Sequence, residues 1–172
     1  SQLIAKTGYS RIGGFEIYLS RPELGSSLWE TILEAGRSEN IRPGSPNIID
    51  RVEAGLLSYG NEMTVENTPL ECNMDNFLDI NKEADYIGKK VLQRQIRYGI
   101  KRRIRGVIYN GPKLPTISRP LQVFDIDKRT IVGSLTSGAF SPHFKRNIGV
   151  GMIKYGYWDN DKKILVNIAD QE

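Results

Sequence analysis

Lys6-Thr7-Gly8-Tyr9-Ser10-Arg11-Ile12-Gly13-Gly14-Phe15-Glu16-Ile17-Tyr18-Leu19 is the stretch around which the chain is organised. A polar turn and two adjacent glycines lead into a tight alternation. Successive side chains of an extended strand point to opposite faces. Phe15, Ile17 and Leu19 therefore share one face, which reads as a core face, and Glu16 and Tyr18 share the other. At a rise of about 3.4 Å per residue, that second face presents a carboxylate and a phenol roughly 7 Å apart. Such a pair suits the edge and face of a flat heterocycle. It also suits plain solvent, and the alternation alone does not choose.

Downstream, Arg21-Pro22 ends the strand. Glu23 to Gly36 is predicted to form a helix capped by Ser26 or Ser27, with Leu28, Ile32 and Ala35 on one stripe, Trp29 in the core and Gly36 at the C-terminal cap. The prolines of Ile41-Arg42-Pro43-Gly44-Ser45-Pro46 exclude a regular helix there. A second helix is predicted from Pro46 or Asn47 to about Leu57, with Ile48, Ile49 and Val52 inward and Asp50, Arg51 and Glu53 on a polar face. Arg51 and Glu53, two positions apart, cannot pair on a helix, which leaves Arg51 either solvated or facing a ligand. A short strand is predicted near Phe77 to Ile80. A third helix is predicted from Lys89 to about Tyr98, with Val91, Leu92 and Ile96 inward.

From Lys101 the texture changes to short alternating segments: Arg103 to Tyr109, Leu121 to Phe124, Thr130 to Thr136, Asn147 to Lys154 and Lys163 to Ile168. Strands of this length and spacing point to an antiparallel sandwich or barrel. The chain thus reads as α+β in two units, an α+β unit at 1–95 and an all-β unit at 96–172.

Its 172 residues can bury a real core, and 39% hydrophobic with 26% charged residues describes an ordinary globular composition. No apolar run approaches the roughly eighteen residues of a membrane span. A lone Cys72 and a lone His143 exclude an intrachain disulfide and the usual zinc or iron–sulfur ligand sets, and a cytoplasmic setting is the simplest expectation. His143 has no nucleophile elbow near it and reads as a structural or surface residue. Residues 1–86 hold 7 basic and 14 acidic residues, whereas 87–172 hold 17 and 6. The basic run from Lys89 to Arg105 has no aromatic at stacking spacing except Tyr98, so a solvated face is expected there rather than a nucleic-acid site.

Thr7-Gly8-Tyr9-Ser10 followed by Gly14-Phe15-Glu16-Ile17 resembles the signature strand of the glycine cleavage T-protein (aminomethyltransferase) superfamily. Arg51-Val52-Glu53-Ala54-Gly55 with Tyr59-Gly60, Thr68-Pro69-Leu70-Glu71, Tyr86-Ile87-Gly88-Lys89, Thr136-Ser137-Gly138 and Ser141-Pro142 follow in the family's order. Within the superfamily the chain is similar to the dimethylsulfoniopropionate demethylase branch. Lys6 stands in place of the T-protein's usual Arg, Tyr18 follows Glu16, and Ile41 to Asn61, Ser141-Pro142-His143-Phe144 and Trp158 are demethylase-like. The Lys-Gly-Cys-Tyr signature of the iron–sulfur-repair branch is absent.

The resemblance implies a three-domain ring around a folate cleft. This chain would supply the C-terminal part of the central two-layer folate-binding domain and a β-barrel or jelly-roll-like C-terminal domain. The family's catalytic Asp would then fall upstream of Ser1, about a dozen residues would follow Glu172, and the chain alone is expected to be inactive. Residue by residue, Glu16 would accept hydrogen bonds from the pterin, Arg51 would meet the pterin or carboxylate side of folate, and Tyr18 and Tyr9 would line the methyl-donor pocket. Tetrahydrofolate is the implied co-substrate and a small-molecule methyl donor the implied partner. A homodimer is expected, with no metal, membrane or nucleic acid. The function implied is methyl transfer from dimethylsulfoniopropionate to tetrahydrofolate. The alternatives are the aminomethyl transfer of glycine cleavage, with a lipoylated carrier, and a non-catalytic folate-binding role.

Overall fold

The computed structural model describes residues 2–9, 12–44 and 48–169. Strands β1 (Leu3–Ala5) and β2 (Glu16–Tyr18) pair antiparallel, with Leu3 opposite Tyr18 and Ala5 opposite Glu16. Helices α1 (Gly25–Ala35) and α2 (Ile48–Glu53) follow, and then α3 (Lys89–Tyr98). The second half is one antiparallel sheet of β3 (Arg102–Tyr109), β4 (Leu121–Asp125), β5 (Ile131–Ser141), β6 (Arg146–Lys154) and β7 (Ile164–Val166), in the order β3-β6-β5-β4-β7. The chain is α+β, and its C-terminal sheet is curled into a half-barrel.

That sheet carries apolar residues on both faces. On β6, Ile148 and Val150 join Val52 of α2 and Ile104 of β3 in one cluster, with Ile48 and Leu57 packed against it. Ile153, on the alternate face, joins Tyr109, Ile117, Leu121, Val123, Val132 and Leu135 in a second, larger cluster inside the curl. Helix α2 thus covers one face, and the other is covered by connecting segments, with Leu114 and Ile117 before β4 and Tyr157 and Trp158 after β6 packed into its cluster. Burial inside the curl pushes the Tyr109 phenol up to about 12.

A bulge on β5 makes this arrangement work. Leu135 lies opposite Gly151, but Ser137, not Thr136, lies opposite Val150. One extra residue inverts the parity of everything after it. Leu135 therefore faces the inner core, whereas Ser137, Ala139 and Ser141 share the α2-facing side with Val150 and Ile148. The bulge also presses the two backbones together, and a Cβ on Gly151 would lie 1.9 Å from the Ser134 carbonyl oxygen.

Several expectations are corrected. The face of Phe15, Ile17 and Leu19 is not a core face here: all of β2 is exposed and Phe15 is 69% accessible. Helix α1 is entered from a 3-10 turn at Pro22–Leu24 rather than through a serine cap, and Trp29 is half exposed. Helix α2 stops at Glu53, because Gly55 takes the left-handed conformation (φ 68°) and the Leu56 N–H closes back on the Arg51 carbonyl at 2.8 Å. The predicted start of that helix, Pro46 or Asn47, lies outside the described residues. Asp75–Phe77 forms a 3-10 turn where a strand was predicted nearby, and of α3's apolar stripe only Leu92 is buried.

Gly151→Ala is expected to cost about 1–3 kcal/mol, since backbone has to move to admit the methyl. Gly106→Ala, with nothing within 4 Å of its Cβ, is expected to stay within about 1 kcal/mol of unchanged. Urea unfolding of the two variants checks this, and equal costs would contradict the bulge argument.

Candidate functional site

Arg51 lies on α2, whose apolar residue Val52 seats the helix on the sheet, and its guanidinium is carried under the helix rather than into solvent. The side chain is 7% exposed, and that of its partner Glu62 is fully buried. Nη1 donates to Glu62 Oε2 at 3.1 Å and to the Leu56 carbonyl at 3.1 Å; Nη2 donates to Glu62 Oε1 at 3.4 Å and to Ser137 Oγ at 2.5 Å. Of the two surroundings the sequence left open for Arg51, solvent is thus ruled out. The folate contact implied by the family resemblance would have to be made by a guanidinium whose Nη atoms already hold Glu62, Leu56 and Ser137. Taking charges out of water is costly unless they are paired and hydrogen-bonded, and this pair is both.

Glu62 was not singled out by the sequence analysis, nor was any role given to Ser137 or Ser141. A buried arginine needs an acid, Glu53 at two positions cannot reach it, and Glu62 in the following turn is the next carboxylate along the chain. Glu53 instead accepts a hydrogen bond from Ser141 Oγ at 2.5 Å. Two consecutive α2-facing hydroxyls beyond the bulge thus tie down two polar residues of one short helix. Thr68 to Glu71 makes a further tie. Glu71 Oε2 caps the Thr68 N–H at 3.1 Å, Oε1 pairs with Arg102 Nε at 3.1 Å, and its carbonyl accepts from Ile104 N–H at 2.7 Å.

The residues expected to meet ligand are separated. Glu16 and Tyr18 project from the same face of β2 and are exposed; Thr7 Oγ1 donates to Glu16 Oε2, and Oε1 has no partner among the described residues. Tyr9 reaches across to donate its hydroxyl to the Leu57 carbonyl. It lines an open groove of about 750 Å³ together with the 52–57 turn, Cys72 to Met74, Phe77, the middle of β3 and Phe144. Neither Glu16, Tyr18 nor Arg51 lines that groove. Burial, followed by the nearby Glu71 charge, pushes the Cys72 thiol up. A second groove of about 1030 Å³, between α3 and the β3–β6 end of the sheet, is edged by Arg94, Lys101, Arg102 and Lys154. His143 is exposed and packs edge-on to Phe144.

Residues 1–82 match the family model for the GCVT N-terminal domain, and residues 102–172 match that for the glycine cleavage T-protein C-terminal barrel domain. The chain is 42% identical over 156 residues to dimethylsulfoniopropionate demethylase DmdA of Ruegeria pomeroyi, covering 91% of this chain and 42% of that protein. It is 38% identical over 168 residues to an aminomethyltransferase of Caldanaerobacter subterraneus subsp. tengcongensis (95% and 43% covered). A third relative, an aminomethyltransferase of Geobacillus sp., is 36% identical over 168 residues (96% and 45% covered). The crystal structure of glycine cleavage system aminomethyltransferase T from Bartonella henselae superposes with a TM-score of 0.77 at 23% identity, over 96% of this chain and 45% of that one, a likeness of fold. The chain spans less than half the length of these relatives.

Arg51→Ala, which strands Glu62 in a buried site, is expected to cost about 3–5 kcal/mol. Replacing both partners, as Arg51→Met with Glu62→Leu, is expected to recover most of that loss. Urea titrations of the single and double variants measure it, and a double variant as unstable as the single would mean that the pair is not the source of the loss.

Proposed function

The chain belongs to the glycine cleavage T-protein family, and from that we propose that the polypeptide carrying it is a tetrahydrofolate-dependent methyltransferase acting on dimethylsulfoniopropionate. The observation that carries this reading is the 42% identity to a dimethylsulfoniopropionate demethylase, maintained over 156 residues, against 38% and 36% to the two aminomethyltransferases named with it. The Glu16-Ile17-Tyr18 strand supports it chemically. Glu16 has a carboxylate oxygen without a partner among the described residues on an open face, which fits the ring N–H donors of a pterin, and Thr7 fixes the other oxygen. Tyr18 and Tyr9 offer aromatic faces to a sulfonium cation, at roughly 0.5–2 kcal/mol per contact.

The reaction asks little acid–base chemistry of the protein. The N5 lone pair of tetrahydrofolate attacks the sulfonium methyl as the S–CH3 bond breaks. The bonding electrons stay on sulfur, which becomes a neutral thioether in the methylthiopropionate anion, and the N5 proton leaves to water. The residues of this chain would hold and align the partners, and alignment alone can supply on the order of 7–11 kcal/mol in the best cases. In this reading Glu16 orients the acceptor, Tyr18 and Tyr9 face the donor, and Arg51 acts from behind the 54–58 turn.

A second reading is aminomethyl transfer to tetrahydrofolate from a lipoylated carrier, favoured by the aminomethyltransferase relatives and the shared fold. Supplied with tetrahydrofolate and dimethylsulfoniopropionate, the polypeptide carrying this chain is expected to form 5-methyltetrahydrofolate and methylthiopropionate in equal amounts. Turnover with an aminomethylated carrier and release of ammonia, without sulfonium turnover, would establish the second reading instead.

A further inference from the structure

We propose that Glu62 is the positioning residue for Tyr9, acting through the 54–58 turn. The Glu62 carboxylate is fully buried and does two jobs at once. It accepts the Ser58 N–H at 2.6 Å, and it holds Arg51, whose Nη1 in turn grips the Leu56 carbonyl at 3.1 Å. The Glu62 and Asn61 N–H groups close back on the Ser58 carbonyl, each at 3.1 Å. Leu56 and Ser58 are thus both pinned by one ion pair, and the residue between them, Leu57, presents the carbonyl that receives the Tyr9 hydroxyl. Tyr9 comes from a loop 48 residues away, and β2, the strand beyond that loop, is wholly exposed.

This bond sets the direction in which the Tyr9 ring shows its face to the groove. The anchored hydroxyl fixes the long axis of the ring. Because a phenolic O–H prefers to lie in the ring plane, its donation to one carbonyl also favours one ring plane, on which the attraction of a cation to the π-face depends. Ser137, which accepts from Nη2 of the same guanidinium, makes no side-chain hydrogen bond to the backbone of the turn among the described residues. Two neighbours of Arg51 therefore differ in consequence: losing Glu62 frees Leu57, and losing Ser137 does not. The positioning stands on the geometry alone, whereas its catalytic consequence rests on the function proposed above.

Tyrosine ring-carbon resonances of the selectively 13C-labelled polypeptide, with Tyr9→Phe identifying the Tyr9 signal, test the geometry. Glu62→Gln is expected to move the Tyr9 signal and Ser137→Ala to leave it in place. Where Glu62→Gln does not fold, Glu62→Asp replaces it, since it keeps the charge for Arg51 but draws the carboxylate back from Ser58. An unmoved signal, or equal movement in Ser137→Ala, overturns the proposal. In turnover, the Glu62 variant is expected to raise the KM for the sulfonium roughly tenfold with little change in kcat. That rise is expected to vanish in a Tyr9→Phe background, and its persistence there overturns the coupling. A moved signal in a protein that does not turn over the sulfonium upholds the positioning and removes the proposed function.

Discussion

A guanidinium buried beneath a six-residue helix is the constraint on which the architecture depends. Arg51 cannot stay there unless several acceptors are brought to it from different parts of the chain. Glu62 comes from the turn that follows, Leu56 from the backbone released when α2 ends, and Ser137 from a strand 86 residues away. Each needs a local irregularity. The left-handed Gly55 turns the chain back over Arg51, and the bulge at Thr136 swings Ser137 onto the helix-facing side of β5. A glycine conformation and an extra strand residue, both departures from regular structure, are thus the two means by which one charge is satisfied.

The same parity change explains how a single sheet serves two cores. Before the bulge β5 feeds the inner cluster through Val132 and Leu135, and after it Ala139, Ser137 and Ser141 line the side that meets α2. The serines there are buried yet polar, which is tolerable only because Arg51 and Glu53 use their hydroxyls. Specific pairing and apolar packing therefore hold α2 to the sheet together, and the turn that follows it inherits a fixed position.

Much of this was legible in the residues. The short segments between turn signals placed β3, β4, β5 and β6. Strand β4 buries alternate residues, whereas β5 and β6, with a core on each side, are buried along almost their whole length and read as strands from their length and bounding turns. Helix α3 was legible from its 3.6-residue period, although only Leu92 of its apolar stripe is buried. Three features were not. Burial of the β2 face failed as an expectation because alternation reports which residues share a side, not whether anything covers that side. The end of α2 was misplaced because Ile48, Ile49 and Val52 continue into Leu56 and Leu57 on paper, whereas Gly55 breaks the helix before they can. The Arg51–Glu62 pair was invisible because its partners lie 11 residues apart across a turn, outside any helical or strand spacing. Of the candidate ligand residues, Glu16 and Tyr18 share a face as read, Tyr9 stands at a separate groove, and Arg51 turned out to be buried.

Two kinds of residue that the family signatures place side by side in sequence are thus separate in the fold. Arg51, Glu62, Ser137 and Ser141 hold the molecule together, and Glu16 with Tyr18 stands open on the hairpin. Tetrahydrofolate titration into the polypeptide carrying this chain and into its Glu16→Gln variant, with urea unfolding measured alongside, tests that division most directly. Weakened folate binding at an unchanged unfolding midpoint is the result expected of a ligand-facing carboxylate. An unchanged titration would contradict the role given to Glu16.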